Sequence, residues 1–136
     1  MGGTLLVDDK VDNAVELVKS LDAKGHAPTL AVWLYSEDVD RWRLLLGGPA
    51  FDALLPNQEV RAYREVAEAA VTVSLSTLGL SDVQLIRTDA PLARALGRLT
   101  ATGPTGLVHA HFVDTTLNGI FIKEMVVLRM HRQVVA

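Results

Sequence analysis

The segment Thr29 to Ser36 constrains this chain more than any other. Leu30, Val32 and Leu34 alternate with Ala31, Trp33 and Tyr35, so a strand here is apolar on both faces. Such a strand needs cover on both sides and belongs in the interior of its sheet. Pro28 opens the segment, and Glu37-Asp38-Val39-Asp40 turns the chain. The return segment Arg41 to Gly47 sets Trp42, Leu44 and Leu46 on one face and Arg41 and Arg43 on the other. That pattern predicts an antiparallel partner with one face partly wet.

Around this hairpin the periodicity is helical. Val7, Val11, Ala14, Val18 and Leu21 recur at steps of three and four, which predicts a helix over Thr4 to Lys24 with Gly25 as its stop. A second helix is expected from Gln58 to about Leu78, capped by Asn57, with Val60, Tyr63, Ala67, Ala70, Val71, Ser74 and Leu78 as its stripe. Its second half is β-branched and uncharged, so propensity there also permits a strand. Asp82 to Arg87 reads as a short strand. Thr88 or Asp89 then caps a third helix, with Pro91 in its first turn and Leu92, Ala95, Leu96 and Leu99 inward.

The last third reads as two strands, Gly106 to Asp114 and Gly119 to Met130. Asn118-Gly119 is a strong hairpin signal, and a two-residue turn there sets Leu117 opposite Ile120. The expected order is α-β-β-α-β-α-β-β. This is an α+β fold with about five mainly antiparallel strands and three helices, in a single domain over residues 1–136. The glycine clusters Gly47-Gly48-Pro49 and Gly103-Pro104-Thr105-Gly106 are expected to be loops, since neither has the residue order of a phosphate loop.

Composition excludes several functions. With no cysteine, the chain has no disulfide framework, iron–sulfur site or thiol nucleophile, and a reducing, cytoplasmic setting is expected. A net charge of −3 speaks against a general nucleic-acid binder, which must displace phosphate counterions. No signal peptide is evident at Met1 to Val7, and no apolar run reaches the ~20 residues of a membrane span. Apolar residues make up 49% of the chain but aromatics only 5%. So much aliphatic surface on a small domain suggests self-association.

Four groups of residues could carry function. His109 and His111 lie two apart in an expected strand, so both imidazoles could reach one metal, with Asp114 as a third ligand or base. Gly103 to His111 resembles the first metal motif of cupins in its G-x5-H-x-H spacing. No glutamate follows at three or four residues, and the rest of the chain is too helical for that barrel. Arg87, Arg94 and Arg98 could form an anion site, because the guanidinium fork suits carboxylate and phosphate. Trp33, Tyr35 and Trp42, with Arg41 and Arg43 nearby, could stack on a base, but such residues are more often core or the anchor of a protein interface. The acidic turn Glu37-Asp38-Val39-Asp40 lacks the spacing of a calcium loop and reads as a solvated turn.

No serine sits in a nucleophile elbow. The leading expectation is therefore a non-enzymatic interaction or regulatory accessory protein, homo-oligomeric and without a cofactor. A metal-dependent hydrolase or phosphodiesterase using His109, His111 and Asp114 is the alternative from another class. A sensor of small anionic ligands is a third.

Overall fold

In the computed structural model, residues 8–71, 73, 78–100, 102 and 106–131 are described. The helix α1 spans Asp8–Ala23, followed by the strands β1, Leu30–Ser36, and β2, Arg41–Gly47. Next come a short helix α2, Pro49–Asp52, and the helix α3, Glu59–Val71. A 3-10 turn at Leu80–Asp82 leads into the strand β3, Val83–Leu85. The helix α4, Pro91–Leu99, and the strands β4, Ala110–Leu117, and β5, Ile120–Met130, complete the described elements. The fold is α+β, and apart from the added α2 its order is the expected one.

The five strands form one sheet in the order β3-β2-β1-β5-β4. The two-faced apolar strand β1 therefore occupies the centre. It pairs antiparallel with β2 and β5, and β4 pairs antiparallel with β5, whereas β3 runs parallel to β2. The sheet is thus mixed, through its shortest strand.

Each face of the sheet has its own core. Ala31, Trp33, Trp42, Leu44, Leu46, Val126 and Leu128 pack under α1 and α3, with Val11, Ala14, Leu17, Val18 and Leu21 on the facing side of α1. Leu30, Val32, Leu45, Met125 and Val127 pack on the other face with Ala93 and Leu96 of α4. This double cover explains most of the aliphatic composition.

Three expectations need correction. The second helix ends at Val71 rather than near Leu78: Val73 is a bend, and Leu78 is outside any helix. The β-branched run beginning at Val71 is where helix propensity falls. The inward stripe of α3 is also rotated. Val60 and Val71 are 75% and 85% exposed, while Ala62, Val66 and Ala69 are buried. Small side chains allow close approach to α1, where the Ser20 hydroxyl donates to the Ala69 carbonyl at 2.9 Å.

Finally, α4 is capped by Ala90 and not by Thr88 or Asp89. Those two side chains are engaged elsewhere, Thr88 with Asp52 and Asp89 with Arg87. The expected start of the first helix at Thr4 to Val7, the segment Ser74 to Thr77 and the loop residues Gly103 to Thr105 lie outside the described residues.

In place of the expected loop, Gly47 ends β2, Gly48 is extended and Pro49 begins α2, and the glycine pair marks close packing. A Cβ on Gly47 would lie 2.8 Å from the Ile86 carbonyl oxygen, and one on Gly48 would lie 3.0 Å from that of Ala27. Glycine lets the backbone leaving β2 pass between these segments.

Candidate functional site

Two surfaces hold the residues of interest, a β-ribbon and a cleft beside α4. The ribbon arises because β1 is shorter than β5. β1 pairs only with Met125 to Met130, so Ile120 to Glu124 pair with β4 alone. At its tip Asn118 and Gly119 have φ of 49° and 80°, and Leu117 faces Ile120. Left-handed backbone at both central residues fits the tight hairpin expected from Asn-Gly.

The ribbon does not alternate simply along its length. Ile122 and Met125 belong to one cluster although three residues apart, as do Phe112 and Leu117, five apart. Strict alternation cannot place either pair on one face, so the ribbon changes phase. Asp114, at φ 45°, lies between Phe112 and Leu117. The outcome is that α4 covers one side, over Phe112, Leu117, Ile120 and Ile122. The other side has no helix over it among the described residues. Val113 pairs with Glu124 and lies opposite in face to Phe112, and alternation with Ile120 and Ile122 turns Phe121 away from the α4 cluster; each is 55% exposed.

The proposed metal ligands do not converge. His109 precedes β4 and is exposed. The His111 Nε2 lies 2.6 Å from Glu124 Oε2, and the Asp114 carboxylate faces Lys123 at 3.6 Å. Among the described residues no three of His, Cys, Asp and Glu are grouped so as to hold a metal ion.

Of the readings open to the aromatic trio, the structure favours core over interface for the two tryptophans. Trp33 and Trp42 are buried in the core under α1 and α3 and form no interface surface. Tyr35 is half-buried, and its ring is tilted against that of Trp42 at a centroid distance of 5.6 Å. Its hydroxyl donates to Asp40. That hydrogen bond and the charge of Asp40 push the phenol up from its usual 10.0 to about 12.

The three arginines separate. Arg87 Nε and Nη2 donate to the two carboxylate oxygens of Asp89, while its Nη1 donates to the carbonyls of Asp52 and Leu55. The guanidinium holds the Asp89 carboxyl below its usual value, and the carboxylate raises Arg87 in return. Arg87 thus fastens α2 to the start of α4 and does not line the cleft. Arg94 and Arg98 are exposed, one turn apart on α4, and both line a cavity of about 430 Å3 against the ends of β1 and β5.

A fourth arginine behaves unexpectedly. Arg129 is 0% exposed. It donates to Asp22 through Nη1 at 2.8 Å and Nη2 at 3.0 Å, and to the carbonyls of Gly106 and Pro28 at 3.0 and 3.1 Å. A register shift produces this arrangement. Ala31 pairs with Arg129 but Val32 pairs with Val127, leaving Leu128 as an extra residue in β5. Such a bulge re-aims side chains, and here consecutive Leu128 and Arg129 both serve the α1 side.

Sequence reasoning missed Val113, Phe121 and Gly97, and it did not connect His131 with the cleft beside α4. The alternation of Phe121 with Ile120 and Ile122 could have marked it as an outward apolar residue. Gly97 carries no signal of its own. Comparison with protein-family models, curated proteins and solved structures finds no match.

Proposed function

We propose that this chain is a non-enzymatic interaction protein, a homo-oligomeric regulatory or accessory subunit that self-associates through the helix-free side of the β4–β5 ribbon. The observation that carries the reading is the pair Val113 and Phe121, each 55% exposed, on a ribbon whose opposite side is packed. A two-stranded ribbon is marginal in water without further packing, and Val113 and Phe121 leave apolar surface on it exposed among the described residues. A second copy related by a two-fold axis would set the same patch against itself. The His111–Glu124 pair would lie at the rim, where charges set orientation more than affinity.

Other features fit this reading. No helix among the described residues is long and apolar enough to cross a membrane. The lack of cysteine suits a reducing, cytoplasmic setting. The metal-hydrolase alternative has less support, because His111 is hydrogen-bonded with Glu124, Asp114 is paired with Lys123, and no metal-binding group forms among the described residues.

Light scattering at micromolar to millimolar concentration tests the proposal. The wild type is expected as a dimer or higher oligomer, and Phe121→Asp with Val113→Lys as a monomer of unchanged circular dichroism. A wild type that stays monomeric throughout overturns it.

A further inference from the structure

The cleft beside α4 combines three observations. It encloses about 430 Å3, within the range of small-molecule sites. Its wall includes Leu30, Ala93 and Met130, all buried members of the apolar cluster on this face. Arg94 and Arg98 stand at its edge with little to hold them. Among the described residues the Arg94 side chain makes no hydrogen bond or close ion pair, although its charge helps to hold Asp89 ionised, and the Arg98 side chain has one long contact of 3.4 Å with that of Asn118. Asp89 also lines the cleft, but its carboxylate is taken by Arg87. The mouth is therefore left with a surplus of positive charge.

Gly97 points to the same place. It lies within the nine-residue helix α4, where glycine is a poor helix former. Packing does not require glycine there, because a Cβ would meet only the Met130 Cε, at 3.5 Å, an ordinary contact. What the missing side chain provides is room, since Gly97 lines the cleft between the turns that carry Arg94 and Arg98. On the opposite wall, the His131 Nδ1 lies 3.2 Å from the Thr102 carbonyl. A carbonyl only accepts, so Nδ1 carries a proton and the ring is held at the cleft.

We propose that this cleft binds a small amphiphilic anion, with a compact apolar body against Leu30, Ala93 and Met130 and a carboxylate or phosphate between Arg94 and Arg98. Guanidinium groups suit both head groups. The apolar wall distinguishes such a ligand from a bare inorganic ion. This proposal does not rest on self-association, which uses the other side of the ribbon.

Calorimetric titration of the full chain with hexyl phosphate, hexanoate and neutral 1-hexanol tests it. At least one of the two anions is expected to bind saturably, about tenfold or more tighter than hexanol. Arg94→Gln with Arg98→Gln should remove that preference. Gly97→Leu should abolish binding while thermal unfolding shows a folded protein. If Gly97→Leu fails to fold, Gly97→Val serves in its place. Absence of saturable binding by both anions, equal binding of hexanol, or full affinity in the arginine variant overturns the proposal.

Discussion

At the scale of single residues, Arg129 shows what burial does to a charge. Its guanidinium is fully covered, and Asp22 accepts two of its hydrogen bonds. Removing one partner of a buried pair costs more than the pair contributes, because the other charge stays desolvated. Asp22→Ala is therefore expected to lower stability in urea unfolding by about 3 kcal/mol, the low end for buried pairs, since two carbonyls still accept from Arg129. Tyr35 makes a second prediction. Its folded-state value, about 12, is above the usual 10.0. The linked stability is thus fully present below pH ~10 and lost as pH rises toward the folded value. Absorbance titration should show one tyrosine ionising near pH 12, and Asp40→Asn should bring that step back toward 10. The burial of Arg129 was not legible in the sequence. It depends on a bulge, and an extra residue in one strand is invisible until its partner is known.

At the scale of elements, the sequence revealed most where local chemistry decides the outcome. The Asn118-Gly119 turn, the central position of β1 and the division of β2 into Trp42, Leu44 and Leu46 against Arg41 and Arg43 all follow from residue type and period. The turn makes its own prediction. Gly119 has φ 80°, and an alanine in left-handed backbone costs about 1–2 kcal/mol, so Gly119→Ala should lower the unfolding midpoint. Gly47→Ala should also destabilise, because its Cβ would meet backbone, 2.8 Å from the Ile86 oxygen, rather than a side chain that can swing away. The face of α3 was less legible. Two apolar stripes run along it, and the choice between them belongs to α1, which accepts the small side chains of Ala62, Val66 and Ala69. The cap of α4 was hidden for a related reason: Thr88 is engaged by Asp52, distant in sequence, and Asp89 by Arg87, whose fork is itself held by the carbonyls of Asp52 and Leu55.

At the scale of the whole molecule, apolar content proved a weaker guide than apolar position. A sheet covered on both faces absorbs most of the aliphatic side chains among the described residues, and composition alone does not locate the remainder, which includes Val60 and Val71 on α3. Position does, and it sets Val113 and Phe121 on a ribbon that outruns its neighbouring strand. If that patch joins two copies, the thermal midpoint should rise with protein concentration, and Phe121→Asp should remove the dependence. The candidate sites were only partly legible, since the cleft brings α4 against the ends of β1 and β5, segments far apart in the chain. Strand order has a further consequence, for the timing of folding. The most apolar strand, β1, has β5 as one of its two neighbours, nearly a hundred residues later. Until the ribosome has added β5, one edge of β1 has no native partner. The sheet cannot close in that interval, and an open apolar edge is prone to pair wrongly.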